Sequence, residues 1–236
     1  MNLKSRICST GVALAGIALA GAQLVPTEPG DTSVDDNPSI NVFARSTFGK
    51  GVTVKVSRQA AIWTTADGSN WVQRSSGSPG RLYDVAFGNG MFVAVGNEGA
   101  VVTSPDGVSW TPRHPPTDQR LRGIAFGNEM FVAVGYEGTV VTSKNGVKWT
   151  LRKSGTKERL QLVVFDHGKF VAVGWKGIIV TSPNGFRWKV RNSGSSEGLD
   201  GIVYCEEGLE VSITNRIVRV SSDGGVRREL PFPHRK

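Results

Sequence analysis

Arg81, Arg120 and Arg159 stand 39 residues apart. Short pairs lie between and around them: Asn97-Glu98, Tyr136-Glu137 and Trp175-Lys176, with Arg58-Gln59 before and Asn215-Arg216 after. Convergent arginines grip carboxylates through paired hydrogen bonds. A tyrosine beside a glutamate has the makings of an activated nucleophile. An exposed Tyr or Trp offers a flat apolar face with a polar edge, suited to a glycan, a peptide or another extended polar segment. The same residues also read as one position of a repeat, kept for structural reasons. The elements that carry them decide which reading the sequence favours.

Those elements repeat. MFVAVGNEGAVVTSPDGVSW (91–110) returns as MFVAVGYEGTVVTSKNGVKW (130–149) and as KFVAVGWKGIIVTSPNGFRW (169–188). Trp71, Trp110, Trp149 and Trp188 keep the 39-residue step, as do Phe48, Phe87, Phe126 and Phe165, followed by Tyr204. The frame gives five units: 43–81, 82–120, 121–159, 160–198 and 199–236. A period of this length marks a repeat architecture. Within a unit, short β-rich runs alternate with Gly, Asn and Asp, so each unit reads as four strands, a to d. Asp67-Gly68, Asp106-Gly107, Asn145-Gly146, Asn184-Gly185 and Asp223-Gly224 share one position and supply the turn between strands c and d. Four antiparallel strands in about 40 residues make one blade of a β-propeller. The expectation is an all-β propeller of about five blades, closed, open as a fan, or completed by a second chain. Unit five has Leu209-Glu210-Val211-Ser212 for Phe-Val-Ala-Val and Arg227 for the Trp. Erosion at the ends suits capping units, and also a closing blade that has drifted.

Antiparallel connectivity puts the a–b and c–d turns at one end of every blade and the b–c turns and d–a links at the other. The first end is repetitive. The second end holds every pair named above, and loops on a rigid scaffold are where binding residues gather. Arg74, Arg113, Arg152 and Arg191, three residues after each Trp, read as strand-d surface or inter-blade ion pairs.

Outside the repeat, Lys4 and Arg6 precede an apolar run from Gly11 to Ala22 that ends in Ala20-Gly21-Ala22. A charged start, an apolar centre of about 12 residues and a small-x-small ending predict a secretory signal over 1–22. The run falls short of the roughly 20 residues a membrane span needs. Residues 23–42 hold Glu28, Asp31, Asp35 and Asp36 and no Lys or Arg, and read as a flexible acidic tether. The propeller then occupies 43–236. Cys8 leaves with the signal and Cys205 has no partner, so stability rests on the core rather than a disulfide. The whole chain carries +8. Without 1–22 it carries +6, and 43–236 carry +10, which favours acidic partners. Export disfavours nucleic acid as that partner.

SPDGVSW (104–110), SKNGVKW (143–149) and SPNGFRW (182–188) resemble the Asp-box of the bacterial neuraminidase repeat, one residue shorter between Ser and Trp. The wider pattern, from L-x-x-I-x-F through A-V-G-x-x-G to T-S-x-D-G-x-x-W, is similar to propellers related to photosystem assembly factors and to many exported bacterial propellers. The resemblance covers 43 to about 227 and implies the fold. It leaves function open, because such boxes stabilise blades in hydrolases and in binding proteins alike. A sialidase-like glycoside hydrolase would need an arginine triad, a tyrosine with its glutamate, and an acidic proton donor. Arg81, Arg120 and Arg159 recur with the repeat, as structural residues do, and no isolated acid stands out.

Metal and cofactor chemistry find no motif. His114 lies on a d–a link, His167 on an a–b turn at the other end, and His234 in the tail. The glycines follow strand turns and open no phosphate-cradling helix. The expectation is therefore a secreted or periplasmic monomeric propeller that binds a protein or glycan without cofactor, with the hydrolase as the alternative.

Overall fold

A computed structural model describes residues 46–57, 60–205, 208–213, 216–220 and 226–231. The predicted signal and tether, Arg58-Gln59, Asn215, Asp223-Gly224 and His234 lie outside the described residues. Five four-stranded antiparallel sheets follow one another along the chain. Blade one is β1 (Ser46–Gly49), β2 (Val52–Val56), β3 (Ala61–Thr65) and β4 (Val72–Ser75). Blade two is β5 (Leu82–Gly88), β6 (Met91–Gly96), β7 (Val101–Ser104) and β8 (Thr111–Arg113). Blade three is β9 (Leu121–Gly127), β10 (Met130–Gly135), β11 (Val140–Ser143) and β12 (Thr150–Arg152). Blade four is β13 (Leu160–Asp166), β14 (Lys169–Gly174), β15 (Ile178–Ser182) and β16 (Lys189–Asn192). Blade five is β17 (Leu199–Cys205), β18 (Gly208–Ile213), β19 (Arg216–Val220) and β20 (Val226–Pro231). Within each sheet the strands pair in chain order, so this is the all-β propeller that the 39-residue period predicts.

Alternation along the strands explains the stacking. In blade two, Phe92 and Ala94 on β6 meet Val54, Val56 and Ile62 of blade one. Val93 and Val95, one residue out of phase, meet Leu121, Ile124 and Phe131 of blade three. Period-two alternation thus gives each sheet two apolar faces, and neither is covered until a neighbour arrives. First strands pack on first strands, β1 to β5, β5 to β9, β9 to β13 and β13 to β17. A β-carbon on Gly49, Gly88 or Gly127 would collide with the ring of Phe87, Phe126 or Phe165 on the next blade. Each ring therefore seats over a bare backbone. It also stacks within its own blade on Phe92, Phe131 or Phe170, at centroid distances of 4.6, 4.7 and 4.7 Å.

Among the described residues, no comparable packing joins β17 to β1. Phe48 heads the Phe series and is 52% exposed. The same face of blade one carries Thr53 and Lys55 at the positions of Phe92 and Ala94, so its uncovered side is more polar than the equivalent internal faces.

Each of the four described c–d turns is tied by its own side chains. Asp106 Oδ1 accepts from the Ser104 hydroxyl (2.8 Å) and from the backbone N–H groups of Val108 (2.8 Å) and Ser109 (2.9 Å). The N–H of Gly107 donates to Ser104 Oγ (2.8 Å), with Gly107 at a φ of 77° that suits glycine. Trp110 closes the turn by donating its indole N–H to the Gly107 carbonyl (3.1 Å). Asp67, Asn145 and Asn184 repeat the carbonyl-oxygen role in blades one, three and four. The sequence reading puts these tryptophans inside the inter-blade core. Trp149 is buried there, but Trp71, Trp110 and Trp188 are only half-buried. Trp149 and Trp188 make the same indole bond, to the Gly146 (2.8 Å) and Gly185 (3.0 Å) carbonyls, so the bond closes the turn without fixing how deeply the ring sits.

Candidate functional site

The end formed by b–c turns and d–a links is assembled by two backbone devices. The first is the b–c turn, a single 3₁₀ turn at Asn97–Gly99, Tyr136–Gly138 and Trp175–Gly177. Its second residue adopts a left-handed conformation, at φ 51° for Glu98, 52° for Glu137 and 53° for Lys176. The first residue donates its N–H to the carbonyl of the arginine before the blade: Asn97 to Arg81, Tyr136 to Arg120 and Trp175 to Arg159, each at 2.9 Å. The predicted pairs and the predicted arginines are therefore neighbours, held together by the main chain.

The second device is a β-bulge at the start of the inner strand, seen in blades two, three and four and again at the start of β17. Pairing steps from Leu82 to Asp84, from Leu121 to Gly123 and from Leu160 to Leu162. The skipped residues are Tyr83, Arg122 and Gln161. A bulge leaves its extra residue unpaired and re-aims its side chain. Tyr83 uses this freedom to donate its hydroxyl to Asn97 Oδ1 (2.8 Å). Beside it, the Asp84 carboxylate accepts the backbone N–H of Ile124 on the next blade (2.9 Å).

These residues form a continuous stack across three blades. Arg122 lies 4.7 Å from the Tyr83 ring centroid, and Arg120 lies 5.8 Å from it. Arg120 also lies 4.8 Å from the Tyr136 ring and donates from Nη1 to the Tyr136 hydroxyl (3.0 Å). Arg159 lies 4.5 Å from Tyr136 and 4.9 Å from Trp175. Cationic groups over aromatic faces attract the ring quadrupole, and guanidinium groups also stack flat. The series therefore reads Tyr83, Arg120, Tyr136, Arg159, Trp175. Each arginine joins the aromatic of the preceding blade to that of its own.

The sequence reading has Tyr136 and Trp175 both exposed. Tyr136 is half-buried, because two guanidinium groups cover its ring, whereas Trp175 is 49% exposed. Arg120 and Arg159 are half-buried in the stack, while Arg81 is exposed and makes no ring contact among the described residues. Glu98 and Glu137 are exposed on the turn tips. Lys176 is exposed as well and donates to Glu158 Oε1 (3.0 Å). Arg58 lies outside the described residues, and Arg216 opens β19 rather than capping a turn. Arg74, Arg113 and Arg152 do not form inter-blade ion pairs. Each donates from Nε to a strand-c threonine of its own blade, Thr64, Thr103 or Thr142, at 3.1, 3.0 and 2.9 Å. His167 pairs with Asp166 at the opposite end of the blade. No group of three or more His, Cys, Asp or Glu that could hold a metal occurs among the described residues.

Sequence reasoning missed Tyr83, Arg122 and Gln161. They share one repeat position, and the only signal for them was that the copies differ there. The bulge that redirects them has no glycine to announce it.

No family model and no curated protein matches the chain. Solved structures similar to it are propellers. A structure of YCF48 bound to a D1 peptide aligns with a TM-score of 0.57 at 21% identity, over 76% of this chain and 63% of that one. A catalytically inactive virginiamycin B lyase from Staphylococcus aureus, with quinupristin, gives 0.71 at 13% identity, over 80% and 70%. The WD40 propeller domain of Doa1 gives 0.58 at 15% identity, over 76% and 64%. The chain thus spans under two thirds of the length of the YCF48 and Doa1 chains it matches. At these identities the likeness concerns the fold. No described helix is long and apolar enough to cross a membrane.

Proposed function

We propose that the chain is an exported, non-catalytic binding scaffold that grips an extended peptide or an extracytoplasmic polymer across its b–c/d–a face. The observation that carries this reading is the arginine–aromatic stack, built from the loops that vary between otherwise uniform blades and ending at an exposed Trp175. The basic body and the rigid row of guanidinium groups suit a partner bearing carboxylates. That YCF48, a propeller of similar fold, has been solved with a peptide bound supports a peptide-binding role for the chain. Export rests on the signal-like residues 1–22 and implies a secreted or periplasmic site of action. The self-tied c–d turns favour an Asp-box-like ancestry for the blades. The hydrolase alternative gains little from this geometry. The Tyr136 hydroxyl accepts from Arg120 and its ring lies between two guanidinium groups, which suits a structural rung better than a free nucleophile.

The test is retention of a partner from an envelope extract by the tagged protein, compared with an Arg120→Ala, Arg159→Ala double variant. Wild type should retain a protein or polymer in a salt-sensitive manner, and the variant should lose it. Stability should fall by about 2–4 kcal/mol, from four cation–π contacts of about 0.5–1 kcal/mol each, so retention is compared at a temperature where both proteins are folded. Equal retention by the two proteins would remove the stack from the binding site.

A further inference from the structure

The stack stops one residue short. Tyr83 carries two guanidinium groups, from Arg120 and Arg122, and Tyr136 carries two, from Arg120 and Arg159. Among the described residues Trp175 carries one, from Arg159. The arginine that would lie on its other side is set by the period: 81, 120 and 159 lead to 198, and residue 198 is glycine. Gly198 nevertheless sits where that arginine would begin. A β-carbon there would lie 3.3 Å from Trp175 Cδ1, 3.8 Å from Trp175 Nε1 and 3.8 Å from Gln161 Nε2. Gln161 occupies the bulge position that holds Tyr83 and Arg122 in the two preceding blades. The missing side chain thus leaves a half-exposed indole bordered by a bare backbone and a primary amide.

We propose that this subsite, formed by Trp175, Gly198 and Gln161, takes an arginine side chain of the bound partner, whose guanidinium completes the stack in place of residue 198. The proposal rests on the peptide-binding reading above and names one residue that the peptide must present. Three observations favour a guanidinium over other flat groups. The fold already seats guanidinium groups on both tyrosines of the series, at 4.5 to 5.8 Å. Gln161 turns its Nε2 toward Gly198, and a flip of the amide presents its oxygen to accept from a guanidinium N–H. The charges around the subsite are mixed: Arg159 lies over the Trp175 ring, the exposed Glu197 next to Gly198 carries the opposite sign, and Lys176 is engaged by Glu158. A partner that places carboxylates on Arg120 and Arg159 and an arginine on Trp175 would read the face from its middle to its end.

The probe is the blocked peptide Gly-Gly-Arg-Gly-Gly, titrated into the protein while the Trp175 indole N–H resonance is followed. The matched peptide with citrulline in place of arginine keeps the shape and loses the charge. Arginine should bind about two- to fivefold more tightly than citrulline, the ratio one exposed cation–π contact supplies. Gly198→Arg should fill the subsite from within and abolish the shift. The backbone of Gly198 is not left-handed, and the half-exposed indole can yield the few tenths of an ångström a β-carbon requires. Trp175→Ala removes the reporter as well as the platform, so its binding is read by calorimetry, where the preference for arginine over citrulline should be lost. Equal affinity for arginine and citrulline, a response to N-acetylglucosamine alone, or full binding by a folded Gly198→Arg protein would each overturn the assignment. If an envelope partner is retained through Arg120 while arginine and citrulline bind alike, the subsite fails and the scaffold reading stands. If arginine binds at Trp175 and no envelope partner is retained, the scaffold reading fails and the subsite stands.

Discussion

At the c–d end, Asp67, Asp106, Asn145 and Asn184 perform one task four times, each within its own blade. At the b–c end, Arg120 and Arg159 each reach from one blade to the next, and no two blades present the same group. The first arrangement is local, so it survives copying: a duplicated unit brings its own turn bonds along. The second depends on what the neighbouring unit carries, so each new copy meets a different partner. The contrast shows how a repeat protein separates the residues that hold it up from the residues free to specialise. Both ends stand on the same apolar seam between blades.

Substitutions can break or sharpen this comparison. The largest effect should come from the seam. Phe131 is fully buried between blades two and three, and Phe131→Ala should cost about 3–5 kcal/mol in urea unfolding, as large-to-small core changes do. A cost under 1 kcal/mol would mean the blades do not rely on that seam. Next comes the local end. Ser104→Ala removes the acceptor for the buried Gly107 N–H and should cost about 1–3 kcal/mol, the penalty for an unmet buried donor. If the variant unfolds at the wild-type urea midpoint, the turn network is decoration.

Acidity gives a subtler probe of the same end. The backbone N–H groups of Ser109 and Val108, with the Ser104 hydroxyl, hold the Asp106 carboxyl below its usual range. The backbone N–H groups of Asn70 and Ser69 do the same for Asp67, more strongly. A carboxylate whose folded pKa is depressed adds stability above its unfolded value, near pH 4, and loses it as pH falls toward the folded pKa. Asp67→Asn with Asp106→Asn imports the residue already used in blades three and four. Its loss of stability between pH 6 and pH 3 should be smaller than that of wild type, by comparison of urea midpoints. An unchanged pH dependence would place the acid-sensitive groups elsewhere. The smallest effect belongs to the variable end: Trp175→Ala should shift stability by no more than about 0.5 kcal/mol in thermal unfolding. A loss as large as that of Phe131→Ala would make Trp175 part of the core.

Much of this design could be read in the chain. The 39-residue step of Trp and Phe, with Asp-Gly and Asn-Gly between, placed the strands and c–d turns of the four described tight turns in register. It also placed Tyr136, Trp175, Arg120 and Arg159 at one end. What it hid was adjacency. Arg120 precedes blade three in sequence, yet it also lies over Tyr83 of blade two, and no periodicity in one chain states which side chain crosses a seam. The bulges were hidden because Tyr83, Arg122 and Gln161 share no residue type. The left-handed turns at Glu98, Glu137 and Lys176 were hidden because none of the three is glycine or asparagine. Of the two readings of Arg74, Arg113 and Arg152, strand-d surface fits the described contacts better than inter-blade ion pairs, for a plainer reason. A guanidinium three residues after the Trp already has a threonine opposite it in its own sheet.

The seating of Phe87, Phe126 and Phe165 on Gly49, Gly88 and Gly127 has a consequence for how such a molecule changes size. Each unit of this kind offers a plug behind and a socket ahead, and both are written inside the same 39 residues. A cassette inserted between blades two and three would find Gly88 waiting for its ring and would present its own glycine to Phe126. Every joint would be preserved without a compensating change elsewhere. Nothing in a single blade records how many blades there are. Lineages built on this joint can therefore gain or lose whole units by unequal recombination. Selection would then act on the reach of the loop face and on how the two terminal blades meet solvent.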